Sequence, residues 1–137
     1  MSLFAMRRFR SFSRDSRGSV GLDYAIAIPI LVTMMIGIVQ FAVVLHTAGV
    51  MRHALGEGLR LAKVDPTAST IEVKDAAKGS MKGVLLSGIT KLEFRRSATA
   101  RSQIGTMTME YRLEPIIPFA SIPPFTLSET RKVYLPS

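Results

Sequence analysis

A chain of 137 residues with a net charge of +8 and no cysteine has room for one small folded domain beside a membrane segment, and that domain must hold without disulfides or thiolate-bound metal. The basic excess does not spell out a nucleic-acid surface. Half of it lies in the first 18 residues, and the rest is scattered over residues 52–132 with only Arg95-Arg96 and Arg131-Lys132 adjacent and no interleaved aromatics, which gives neither a stacking platform nor a phosphate-tracking groove. Such a charge favours anionic surfaces or lipid headgroups instead.

Residues 1–18 carry Arg7, Arg8, Arg10, Arg14 and Arg17 against Asp15 alone, mixed with serine and a few apolar side chains. They read as a basic cytoplasmic leader that can lie on an anionic leaflet. A mitochondrial-type targeting peptide shares the bias but does not usually run straight into a spanning segment with an acid at its mouth.

From Tyr24 to Leu45 no residue is charged, and only Thr33 and Gln40 are clearly polar. As a helix these residues reach roughly 33 Å, enough for a hydrocarbon core of about 30 Å, so one transmembrane span over 24–45 is expected. Pro29 is compatible with it, because neighbouring groups in a membrane helix can satisfy what its missing N–H leaves free. The alternative, a buried helix of a soluble domain, is disfavoured because so few further residues would have to wrap it on all sides. Beyond the span Arg52, Arg60 and Lys63 accompany Glu57; the larger basic bias before it puts the N-terminus in the cytoplasm and the rest across the membrane.

The apolar spacing of Val50, Met51, Leu55, Leu59 and Ala62 continues the helix to about Lys63, ahead of Asp65-Pro66. This makes one helix over 19–63, and glycines at 49, 56 and 58 weaken its second half by up to about 1 kcal/mol each, so packing has to support it. Ser69-Thr70-Ile71-Glu72 has the capping-box pattern, followed by Val73, Ala76, Ala77, Met81, Val84 and Leu85, which predicts a second helix.

The period then changes to two. Thr106 to Leu113 alternates, with Met107, Met109, Tyr111 and Leu113 predicted inward, and Lys91 to Arg95 alternates in the same way, so the two segments should pair around a turn near 98–104. A third strand is expected in Phe125–Leu135. The proline-rich stretch 115–125 cannot be central strand, because proline offers no ladder donor; it reads as an apolar connection folded over the sheet or offered to a partner. The expected fold class is therefore α+β: a long N-terminal pilin-type helix, a short second helix and a small antiparallel sheet. The division is 1–18 leader, 19–63 helix and 64–137 exported domain.

Catalytic chemistry finds no foothold in the sequence, and the expectation is a non-enzyme without cofactor or metal. His46 and His53 share a helix face but have no third ligand at metal spacing. Ser19, Ser80 and Ser87 have no recognisable histidine–carboxylate partner, and no phosphate-cradling glycine loop is present. Asp23 stands apart, since a carboxylate at the hydrocarbon edge needs a cationic or hydrogen-bonding partner once covered. A cut between Gly18 and Ser19 would create an ammonium one helical turn before it.

The junction Arg17-Gly18-Ser19-Val20-Gly21-Leu22-Asp23-Tyr24 resembles the class III signal peptide of the Tad (Flp) branch of type IV pilins, with Gly18 as the terminal glycine, Asp23 as the acidic fifth mature residue and Tyr24 as the aromatic after it. Asp23 to Pro29 and Gly37-Ile38-Val39-Gln40-Phe41 further resemble TadE-like minor pilins (pseudopilins). Two positions depart from the pattern: Asp23 stands where a glutamate is usual, and Gln40 where a later acid is usual. The resemblance implies cleavage after Gly18 by a membrane-embedded prepilin peptidase and pairing of the Ser19 amine with Asp23 beside Tyr24. It also implies helix packing through Pro29, Gly37 and Gln40, with other pilins and an inner-membrane assembly platform as partners. The expected place is the bacterial inner membrane, with the C-terminal domain periplasmic and later in the pilus, where a role in assembly, priming or the tip would bear on adherence. A minor role is favoured because major subunits of this branch are little more than the helix. Two other accounts stay open on the residues alone: an uncleaved signal-anchored membrane protein unrelated to pili, and a secreted protein cut near Thr47-Ala48-Gly49.

Overall fold

The computed structural model describes residues 16–99, 102–115 and 121–136. The chain divides into two compact units, Met1–Val39 and Gln40–Ser137. Helix α1 (Ser16–Val64) contributes to both and starts early enough to include Gly18. It is followed by α2 (Thr70–Gly79), a 3-10 turn at Leu86–Gly88, and strands β1 (Ile89–Thr99), β2 (Ser102–Leu113) and β3 (Phe125–Leu135). The architecture is α+β, as the sequence predicts.

Of the first unit the described part is α1 alone. From Val20 to Val39 its apolar side chains lie exposed round the helix, with Ile36 alone half-covered. The helix passes through Pro29 without a break, and the Thr33 hydroxyl donates to the Pro29 carbonyl at 2.8 Å.

In the second unit, helices pack on one face of a three-stranded antiparallel sheet of order β1-β2-β3. The stripe Met51, Ala54, Leu55, Leu59 and Ala62 on α1 is buried against Val73 and Ala77 of α2 and against Phe94, Met107, Met109, Tyr111 and Leu135 of the sheet. Full burial of each large apolar side chain is worth about 1.5–3 kcal/mol, and this stripe is the packing that the glycine-weakened half of α1 needs. Along β2 the inward set Met107, Met109 and Tyr111 is buried and Leu113 half-buried, matching the predicted alternation. Leu92 pairs with Met109 and Phe94 with Met107, so the β1–β2 register follows from both apolar patterns. Pairing continues to Thr99↔Ser102, further than the alternation reveals. Residues 100 and 101, within the expected turn, and 116–120, within the proline-rich stretch, lie outside the described residues.

Three local devices fix this unit. Ser69 caps α2 as predicted, receiving the Glu72 N–H at 3.2 Å and donating its own N–H to the Glu72 carboxylate at 2.7 Å. Arg96 on β1 donates to the Pro66 carbonyl and the Ala68 carbonyl, both at 2.8 Å, and its guanidinium stands 5.5 Å from the Phe94 ring centroid. Tyr111 donates to the Leu85 carbonyl at 3.0 Å, its ring filling the space over Gly88, where a Cβ would come within 2.3 Å of the ring.

The second helix is shorter than its apolar pattern. It ends at Gly79, and Ser80 closes it with its N–H on Ala77 O and Lys78 O. Met81 is still buried and Val84 half-buried, but from a loop in which Gly83 takes a φ of +81°. That left-handed conformation suits glycine and lies in the turn beyond the helix end, within which Met81 and Val84 still reach the core. Leu85, predicted on the same face, is exposed.

Gly58 and Gly49 separate two roles for glycine in α1. A Cβ on Gly58 would lie 2.9 Å from both the Met107 sulfur and the Val73 carbonyl oxygen, whereas one on Gly49 meets nothing within 4 Å. Helix propensity favours alanine at both by about 1 kcal/mol, but overpacking costs about 1–3 kcal/mol. Gly49→Ala should therefore raise the thermal midpoint of the detergent-solubilised chain slightly, and Gly58→Ala should lower it.

Acid acts on the α1–α2 connection. Hydrogen bonds from the Thr67 hydroxyl (2.6 Å) and N–H (2.9 Å) hold Asp65 below the ordinary carboxylate range, and those of the Ser69 cap do the same for Glu72. A depressed folded pKa gives stability that is complete above the unfolded value, about 4, and is lost as pH falls through the folded value. The Arg96 bonds to neutral carbonyls carry no such dependence. The stability gap between the wild type and an Asp65→Asn/Glu72→Gln variant, followed by thermal unfolding, should accordingly be steady at neutral pH and close below about pH 4.

The exposed helix and the groove beside its folded half

The residues singled out for processing and assembly all fall on α1. Gly18 and Ser19 lie in its first turn, with backbone helical in the uncut chain. Ser19 and Asp23 are four residues apart, the spacing that stacks two positions on one helix face. Asp23 is exposed and, among the described residues, makes no ion pair; Tyr24 is exposed beside it. Gly18 and Gly21 both weaken this first stretch of helix, and a Cβ on Gly21 would meet nothing within 4 Å. The first turn is where unwinding loses fewest backbone hydrogen bonds, since its N–H groups have no partner within the helix.

Pro29 and Gly37 follow on the same uncovered length, and Gly37 offers open space where a Cβ would sit. Gln40, the first residue of the second unit, is half-covered. The apolar run between them is the one helix among the described residues long and apolar enough to cross a membrane, with a mean hydropathy of 2.5 over its best 18 residues and none of them buried. A soluble core helix would be covered. This one is not.

Cover begins abruptly at Thr47, the first buried side chain after Val20, at 2% exposure. Its hydroxyl donates to the Val43 carbonyl at 2.9 Å, so a polar group is buried with its hydrogen bond made. Next to it a groove of about 720 Å³ is lined by Leu45, His46, His53, Glu57, Ser80 and Lys82, among others. His46 and His53 do share one face, as their spacing predicts. What that spacing could not reveal is the convergence on them of Ser80 and Lys82 from the end of α2; the glycine pair 79 and 83 was the only signal. Among the described residues no group of three His, Cys, Asp or Glu side chains is placed to hold a metal ion. The Ser80 hydroxyl donates to the Ala76 carbonyl at 3.0 Å.

On the opposite flank of α1, Arg52 contacts Glu129 of β3 through two nitrogens, at 2.8 and 2.9 Å, tying the helix to the edge strand. Glu129 raises the Arg52 pKa further through that hydrogen bond. Glu129 lies in the predicted third strand, but its helix partner was not legible from spacing.

A long uncovered apolar helix beside a small α+β unit fits a single-pass membrane anchor. The family model described as TadE-like protein matches residues 18–60, so over that segment the chain is similar to the TadE-like family, consistent with a pilin-type protein of the Tad system. The match starts at the glycine expected to end the leader and stops inside the folded half of α1. No curated protein and no solved structure matches the chain.

Proposed function

We propose that this chain is a minor pilin, or pseudopilin, of a Tad (Flp) type IV pilus. In this reading it is a non-catalytic subunit, trimmed by the prepilin peptidase between Gly18 and Ser19, held in the bacterial inner membrane with its C-terminal unit periplasmic, and passed by the assembly platform into a filament beside other pilins, where it supports assembly, priming or the tip and so adherence. The observation that carries the reading is the coincidence of the family match at residues 18–60 with an apolar helix that its own chain leaves bare.

The chemistry follows from charge and cover. Trimming removes the basic leader and frees an ammonium at Ser19, one turn from Asp23. In water such an i,i+4 pair is worth only about 0.3–0.5 kcal/mol, but once lipid or neighbouring helices exclude water an unpaired carboxylate becomes far more expensive to hold. Asp23 therefore selects for trimmed neighbours: its partner, in the same subunit or the next, exists only after cleavage. Aspartate in place of the usual glutamate shortens the reach by one methylene and favours a close partner. Helix-to-helix packing then replaces lipid around Tyr24–Leu45, with Gly37 as a place where a neighbouring backbone can approach.

Gly18→Leu should leave the chain at full length, because a side chain at the cut obstructs the peptidase. Asp23→Ala should be trimmed like the wild type yet fail to support normal piliation, with filaments counted by electron microscopy and processing read by immunoblot of the same cells. Normal filament numbers from Asp23→Ala cells would remove the electrostatic part of the proposal.

A further inference from the structure

The loop after α2 passes the end of the uncharged run of α1 at Lys82 and Gly83 and exposes two leucines directly after. Gly83 packs against that end, since a Cβ there would lie 3.4 Å from His46 Nε2. Lys82 lines the same groove as Leu45 and His46. Val84 turns inward to the core, and the next two residues turn out: Leu85 is 76% exposed and Leu86 51%. A chain with free choice buries such side chains or replaces them with polar ones, so two adjacent exposed leucines ask for an apolar environment.

The rest of this end of the unit mixes apolar with charged groups: Leu85 lines a groove with Thr90, Arg112 and Glu114, the last two an exposed ion pair at 3.8 Å. The 3-10 turn at Leu86–Gly88 contacts β2, and β2 ends in the pair Leu113↔Phe125. Phe125 is partly exposed, as is Ile122 before it. Besides Phe41, Val43 and Leu45 of the apolar run, the other exposed large apolar residues described in this unit, Val64, Ile71 and Tyr134, sit at the far end of α1, the start of α2 and the opposite end of the sheet.

We propose that Lys82–Leu86 is a membrane-surface contact: the bilayer that receives α1 also receives Leu85 and Leu86 at its interface, while Lys82 meets lipid phosphates. The occupant is the lipid surface because the loop is continuous with the apolar run. The uncharged run closes at Leu45, cover of α1 opens at Thr47, and the loop makes its contact at His46 between them. An interfacial loop with apolar residues beside a cation has the composition that headgroup and acyl boundary together select. The contact would hold the folded unit against the membrane before assembly and be released on extraction into a filament. It rests on α1 being membrane-anchored, but not on the leader being cut.

The chain contains no tryptophan, so a single introduced one reports its own surroundings. The full-length chain is reconstituted into phosphatidylethanolamine/phosphatidylglycerol vesicles with or without brominated acyl chains, carrying Leu85→Trp, Leu86→Trp, Thr67→Trp or Ile38→Trp. The expected result is blue-shifted, bromine-quenched emission from Ile38→Trp and from at least one of Leu85→Trp and Leu86→Trp, with water-like, unquenched emission from Thr67→Trp. Quenching at Ile38→Trp with none at either leucine position overturns the contact and leaves the loop to a neighbouring subunit or to water. Absence of quenching at Ile38→Trp instead overturns the anchor itself.

Discussion

The constraint on which the molecule depends is that its longest apolar surface has nothing of its own to cover it. From Val20 to His46 no described side chain of α1 is buried, and the uncharged part of that length needs lipid or the helices of other subunits around it. In the proposed role that need changes as the subunit leaves the membrane for a filament, because the surrounding medium changes while the helix does not. On that proposal Asp23 would make the change directional: a carboxylate is tolerable in the headgroup zone, expensive in a dry helix bundle, and tolerable there again when an ammonium lies beside it.

The second unit answers a different demand. It must be stable on a small core, and it does so by letting one helix serve as the wall against which α2 and the sheet are built. Gly58 brings α1 close to the α2 backbone and to Met107, Arg96 joins β1 to the loop between the helices, and Tyr111 holds the turn before β1. The two halves of α1 are thus under opposite selection. Residues 50–62 carry an apolar stripe with a polar back, and residues 24–45 are apolar all round.

Much of this was legible from the residues because local rules and tertiary demands agree. The capping box at Ser69–Glu72 forms, the period-two run of β2 buries the predicted methionines and Tyr111, and the third strand forms over Phe125–Leu135. The end of α2 was not legible: Met81 and Val84 keep helical spacing and do reach the core, but from the turn that follows the Ser80 cap, and spacing alone cannot tell the two apart. Long-range partners such as Arg52 with Glu129, and Arg96 with the carbonyls of Pro66 and Ala68, depend on how elements meet and leave no periodic trace. The sequence puts Ser19, Asp23, Tyr24, Pro29 and Gly37 on one helix and Gly18 in the leader before it, whereas α1 starts at Ser16 and carries Gly18 as well, with Asp23 and Tyr24 exposed.

The central claim is that trimming creates the charge that Asp23 requires. Its most direct test is the intact mass of the chain recovered from the membranes and from the sheared filaments of piliated cells. The account predicts a mature chain beginning at Ser19 in both fractions. A chain beginning at Met1 in cells with normal filaments, its arginines still attached, would contradict it.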